Sequence, residues 1–169
     1  MNKLYILTGL PYSGKTTLRK ELVKRLNFDY VSVDEIMKDK NTWRTGHLTP
    51  DDWNTAYSEA YGKLKDLLKQ NRNVILDIGN LEFQERETAR QIAEAQGAKH
   101  KLIYINTPME EIMRRRKENK ITKTRGHLED DLLKSAIEKF DEPTAEENPI
   151  IYNSEEDLDE WIKQNFSID

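Results

Sequence analysis

Cysteine is missing from this chain altogether. That excludes disulfides and thiolate metal sites. Long apolar runs are missing too, since no stretch approaches the roughly 18 consecutive apolar residues of a membrane span. No signal sequence is expected ahead of the first candidate strand, and no internal repeat, low-complexity tract or linker is read in the sequence. One domain covering residues 1–169, without a membrane partner and cytoplasmic, is the expectation, and its length suffices for a real core.

Charge is plentiful but unevenly placed. Charged residues make up 34% of the chain and apolar residues 36%. Residues 1–127 hold 24 Lys/Arg against 17 Asp/Glu, whereas residues 128–169 hold 3 against 14. The basic part suits an anionic ligand. The acidic part argues against a continuous nucleic-acid surface and leaves room only for a local groove.

The chain is organised around Gly9, Leu10, Pro11, Tyr12, Ser13, Gly14, Lys15, Thr16 and Thr17. They fit G-x-x-x-x-G-K-[ST], the P-loop pattern. Lys3 to Thr8 before them read as an apolar strand, and Leu18, Leu22, Val23 and Leu26 after them recur at helical spacing. Strand, glycine loop and helix together turn successive backbone amides inward at a helix N-terminus, which makes an anion nest. Lys15 is then placed for the β- and γ-phosphates of ATP, Thr16 for Mg²⁺ and Thr17 for the α-phosphate.

Further strands are expected at Tyr30–Val33, Asn73–Asp77, His100–Ile105 and Pro149–Tyr152. Thr49-Pro-Asp-Asp52 starts a helix with a Thr cap, Pro at the first turn and early acids; Trp53, Ala56, Tyr57, Ala60, Leu64, Leu67 and Leu68 form its apolar face. Helices follow from about Leu81, after a capping box at Thr107-Pro-Met-Glu110, over about 129–140, and after Ser154 as N-cap. Strands alternating with helices imply an α/β fold with a parallel sheet covered on both faces. Right-handed crossovers put the P-loop, Asp34 and Asp77 on one edge, where ligands bind.

In order along the chain, Gly9–Thr17, Val33-Asp34, Val74 to Leu81, Arg114–Arg116 and Phe140–Pro143 resemble the small P-loop kinases. That group includes zeta-toxin-like proteins, chloramphenicol phosphotransferase and the kinase domain of polynucleotide kinase, with many bacterial members known only as predicted AAA-type kinases. The resemblance spans nearly the whole chain, and its P-loop is the specific part. It implies a three-layer P-loop NTPase sandwich with a five-stranded sheet ordered 2-3-1-4-5. It also implies transfer of the ATP γ-phosphate to a hydroxyl.

Asp34 matches the family's aspartate that accepts the acceptor's proton; the other reading is a helix cap. Asp77 stands where a Walker B carboxylate holds Mg²⁺; the other reading is a solvated acid at a strand end. Asn80 reads first as a cap, and Arg86 and Arg90 as a surface salt-bridge face. Residues 114–125 hold seven basic residues and one acid and resemble the kinases' lid, spanning about 114–127, with Arg114, Arg116 and Arg125 as catalytic candidates. Mutual repulsion makes this stretch an expected mobile segment before nucleotide binds. By resemblance Asn153 and Ser154 lie near adenine.

No N-K-x-D guanine motif or LSGGQ-like signature is present, which argues against a GTPase and an ABC-type ATPase. The favoured acceptor is a hydroxyl of a small molecule, with Trp43, Arg44, His47, Trp53 and Tyr57 in the expected lining. A 5′-hydroxyl polynucleotide kinase and a toxin-type or nucleotide-binding module remain as alternatives. Oligomeric state is not legible.

Overall fold

The computed structural model describes residues 1–39, 49–123 and 128–166. Five strands form one parallel sheet: β1 (Lys3–Thr8), β2 (Asp29–Ser32), β3 (Val74–Asp77), β4 (Lys99–Asn106) and β5 (Ile150–Asn153). Their order is β2-β3-β1-β4-β5, as the resemblance implied. In β1, Leu4 and Ile6 enter one core while Tyr5 and Leu7 enter the other. A strand buried on both faces must be apolar throughout, and β3 is buried along its whole length. Register is set by pairs such as Ile6↔Leu76 and Ser32↔Asp77.

Seven α-helices are seen among the described residues: α1 (Lys15–Leu26), α2 (Val33–Asp39), α3 (Pro50–Lys69), α4 (Phe83–Ala95), α5 (Met109–Thr122), α6 (Asp130–Lys139) and α7 (Leu158–Asn165). On one face Ile36 and Met37 of α2, Ala56, Ala60, Leu64 and Leu68 of α3, and Ala89 and Ala93 of α4 cover the sheet. On the other, Leu18 and Leu22 of α1 meet Trp161 and Ile162 of α7, with Phe166 between Tyr5 and Trp161. The α3 start matches its sequence signal. Thr49 Oγ1 accepts from the Asp52 amide at 3.2 Å, and the Asp52 carboxylate accepts from the Thr49 amide at 2.8 Å.

Three caps differ from the sequence expectation, two of them for a tertiary reason and one for a local reason. Thr107 does not box α5; its buried hydroxyl donates to the Ser13 carbonyl at 2.8 Å, tying β4's exit to the P-loop. Asn80 does not cap α4. It is fully buried at φ 53°, donates to the Leu7 carbonyl at 2.9 Å and accepts from the Thr8 hydroxyl at 2.7 Å. Glu85 takes the capping task by accepting from the Glu82 amide at 3.1 Å. Ser154 does not cap α7, because a turn follows β5; Asp157 caps instead, accepting from the Glu160 amide at 2.9 Å.

Candidate active site

β1 delivers the chain to the P-loop at the carboxyl edge of the sheet. A Cβ on Gly9, at φ 150°, would stand 2.7 Å from the Ile105 carbonyl oxygen. Only glycine permits that approach. Gly14, at φ 110°, is the N-cap of α1, so the loop opens onto a helix N-terminus. Ser13 Oγ is buried without a protein partner among the described residues. Lys15 Nζ donates to the Gly9 and Leu10 carbonyls of its own loop, and Thr16 and Thr17 are exposed at the start of α1. Amides, a lysine, an orphaned hydroxyl and the positive helix end are the donor set that phosphates require.

Tyr12 is unusual in this loop. It is a bulky residue at φ 65°, a backbone region that costs energy for a side chain. Its ring is buried, and its hydroxyl accepts from the Leu128 amide at 3.1 Å, which offsets that cost.

Asp77 ends β3 beside the loop. It is buried rather than solvated, and Arg19 Nε donates to its Oδ2 at 3.1 Å. Burial pushes the Asp77 carboxyl up from its ordinary value; the charges of Lys15 and Arg19 pull it back, and the charge of Asp34 pushes it further up. Asp34 stands exposed in the first turn of α2, two residues beyond the Ser32↔Asp77 pair. It lies one residue inside the helix, so the cap reading does not hold. Across from it, Tyr57 brings its hydroxyl within 3.5 Å of where a Gly79 side chain would begin, and Trp53 packs on the Tyr57 ring. Burial, then the charges of Glu85, Asp34 and Glu82, push the Tyr57 hydroxyl up, so it stays neutral. Trp43, Arg44 and His47 lie outside the described residues.

A hydroxyl at Thr16 and a carboxylate at Asp77 are hard oxygen donors, which suit Mg²⁺. Among the described residues no cluster of three His, Cys, Asp or Glu side chains forms a metal cage. That donor set fits an ion shared with nucleotide phosphates and water, as Mg²⁺ is in such sites.

The basic stretch divides by helical face. Arg114, on the exposed side of α5, pairs with Glu111 and Glu118. Arg116 is buried and donates to the Leu128 carbonyl and the Asp130 carboxylate. Arg125 lies outside the described residues. Arg115, which the motif reading did not single out, is the one of the three consecutive arginines that bonds to the P-loop. Its Nη1 donates to the Ser13 and Tyr12 carbonyls at 2.8 and 3.2 Å, and its Nε to Glu111 at 2.7 Å. Each of the three has a carboxylate partner, so repulsion is relieved, and residues 114–122 are helical.

Arg86 and Arg90 are not a surface face. Both are buried and converge on Glu147, whose carboxylate is only 3% exposed. Burial opposes ionisation there, but the bonds from Arg86 and Arg90 outweigh it and hold the carboxyl at about 2. At the far edge, Asn153 accepts from Asn106 at 3.2 Å, while the buried Ser154 Oγ has no protein partner among the described residues. Arg19 and its second partner Glu35 were also not singled out from the sequence. A signal existed: Arg19 is a charge in the α1 turn between Leu18 and Leu22, both of which face the core.

Residues 4–143 match the profile of the AAA domain family. The chain belongs to that family. Within it the protein is a small P-loop kinase, an ATP-dependent phosphotransferase to a hydroxyl. It is 24% identical over 154 residues to a probable gluconokinase of Schizosaccharomyces pombe, covering 88% of this chain and 77% of that one. It is 31% identical over 114 residues to a shikimate kinase of Clostridium botulinum, covering 65% of this chain and 62% of the relative. Among solved structures, a sugar kinase from Janibacter superposes with a TM-score of 0.71 at 17% identity, over 99% of this chain and 94% of that one. At that identity the likeness speaks for the fold alone. No helix among the described residues is long and apolar enough to cross a membrane.

Proposed function

We propose that the protein, acting in the cytoplasm as one kinase domain, phosphorylates a hydroxyl of a small-molecule acceptor, with Asp34 as the base. The observation that carries this reading is the shared edge. Asp34 lies two residues past the Ser32↔Asp77 pair, and Asp77 ends the strand beside the P-loop. An acceptor held against Asp34 faces the γ-phosphate of ATP bound at Gly9–Thr17. The acceptor oxygen bonds to the γ-phosphorus, the bond to the β–γ bridging oxygen breaks, the hydroxyl proton passes to Asp34, and ADP leaves. Lys15 and Arg115 offset the charge on the moving phosphoryl oxygens. Thr16 and Asp77 would hold Mg²⁺, which would supply neutralisation of phosphate charge when bound. Asn153 and Ser154 border adenine.

Small-molecule kinases among the curated relatives support this class of acceptor. The excess of acid over residues 128–169 weighs against nucleic acid. Labelled ATP offered to pools of metabolites and of 5′-hydroxyl oligonucleotides tests the point. Label transferred only to oligonucleotides overturns the small-molecule reading. With the acceptor in hand, Asp34→Asn should slow transfer by about 10² to 10⁴, the span of general acid–base catalysis, with ATP affinity and melting temperature unchanged. Near-normal transfer in a folded Asp34→Asn sample removes Asp34 as the base.

A further inference from the structure

The inner face of α1 carries a charged chain that the phosphate chemistry described above does not use. Arg19 is 5% exposed and lies one helical turn beyond Thr16, on the same side of α1. Its Nε donates to Asp77 Oδ2 at 3.1 Å and its Nη2 to Glu35 Oε1 at 2.9 Å. Glu35 accepts at its other oxygen from the Tyr30 hydroxyl at 2.7 Å, and the Arg19 guanidinium stands 4.3 Å from the centre of the Tyr30 ring. One planar fork therefore joins the P-loop helix, the end of β3, β2 and α2. Glu35 is the direct neighbour of Asp34, the residue at the acceptor side.

A buried arginine with two carboxylates can serve stability alone. The partners argue for more. Asp77 is the only acid at the end of β3, and a carboxylate that shares a metal must present one oxygen in a fixed direction. Arg19 occupies Oδ2 from the protein side and so fixes the rotation of the group. A lysine could supply the same charge but not two carboxylate bonds from a rigid fork.

We propose that Arg19 is a positioning residue: through Asp77 it orients the metal-binding oxygen, and through Glu35 it holds α2, and with it Asp34, at a set distance from the P-loop. This rests on the reading of Asp77 as a Mg²⁺ residue, and the test separates the two. ATP binding is measured by calorimetry over a Mg²⁺ titration and in EDTA, with melting temperature on the same samples. Arg19→Lys, Glu35→Gln and Asp77→Asn are compared with the unaltered protein.

In Arg19→Lys the Mg²⁺ concentration that half-maximally tightens ATP should rise about 10- to 100-fold, the usual cost of losing a partner behind a metal ligand. ATP affinity in EDTA should not move, because the loop amides and Lys15 are intact. Glu35→Gln should shift the Mg²⁺ requirement in the same direction by less. If Arg19→Lys fails to fold, Glu35→Gln and Tyr30→Phe, at the more exposed end of the chain, carry the test.

Three results overturn the proposal. Asp77→Asn with an unaltered Mg²⁺ requirement removes the metal role of Asp77 and the positioning role together. A shifted Asp77→Asn beside folded Arg19→Lys and Glu35→Gln that behave like the unaltered protein removes the positioning role alone. A proportional loss of ATP affinity in EDTA assigns Arg19 to general stability.

Discussion

Lys15 bonds to the Gly9 and Leu10 carbonyls of the loop that carries it, so the ammonium is held at the loop's mouth by short local bonds. Phosphate oxygens would replace those carbonyls with stronger, charged acceptors. Lys15→Ala should therefore remove most Mg·ATP affinity and phosphoryl transfer while the fold survives. Calorimetry on the variant checks it, and unaltered affinity and turnover would sink the assignment. Gly9 is the other residue on which the loop depends. Gly9→Ala drives a methyl to 2.7 Å from the Ile105 oxygen at a φ of 150°. The cost should exceed about 1 kcal/mol, a drop in melting temperature of about 2 °C or more, with weakened ATP binding beside it. A melting curve that does not move would contradict the close approach. Tyr12 shows the opposite solution, a large residue kept at positive φ by its bond to Leu128.

At the scale of elements, α3 and α5 contrast. The α3 start is governed by its own residues, Thr49, Pro50 and Asp52, and the structure follows the sequence there. The α5 start is governed by a partner 94 positions away, since Thr107 bonds to Ser13. The same helix sorts its arginines by rotation: about 100° per residue sends Arg114 to solvent, Arg115 to the P-loop and Arg116 inward. Arg115→Ala should then slow transfer by about 10² to 10³, the usual loss for one donor aimed at developing charge. Arg114→Ala should leave transfer near normal, because its partners are the half-buried Glu111 and the exposed Glu118 of its own helix. Single-turnover transfer by the two variants distinguishes them, and equal losses would reject the assignment of Arg115.

For the whole molecule, the closure of residues 141–148 onto α4 couples stability to pH. Glu147 is bound by Arg86 at 2.8 Å and by Arg90 at 2.5 Å, and its carboxyl falls from the usual 4.5 to about 2. A depressed carboxylate stabilises the fold fully above its unfolded value and loses that contribution as pH falls through the folded one. The window is therefore about pH 4.5 down to about 2. The shift corresponds to about 3 kcal/mol at neutral pH. Glu147→Gln leaves the buried Arg86 without a carboxylate and Arg90 with Glu87 alone, and should cost about 3–5 kcal/mol near pH 7, the usual result of breaking a buried pair. Denaturant melts of both proteins from pH 7 to pH 2 should show the difference narrowing as acid protonates Glu147. A constant gap across that range would mean that Glu147 is not the titrating clamp.

Apolar periodicity, turn residues and the glycine loop are local signals, and they determined the alternation of strands and helices, the P-loop, and the edge that holds Asp34 and Asp77. Pattern resemblance to small P-loop kinases then supplied strand order. What the sequence by itself did not decide is who partners whom. Arg86 finds Glu147 across 61 positions and Arg19 finds Asp77 across 58, and both pairs form only when the sheet has brought those segments together. The reason is physical: an isolated arginine is cheapest in water, so local rules read it as surface, and only burial by a distant segment forces it to take a carboxylate. Thr107 and Asn80 follow the same logic. Each has a cap's chemistry, and for each the tertiary environment, not the neighbouring helix, set where its polar atoms went.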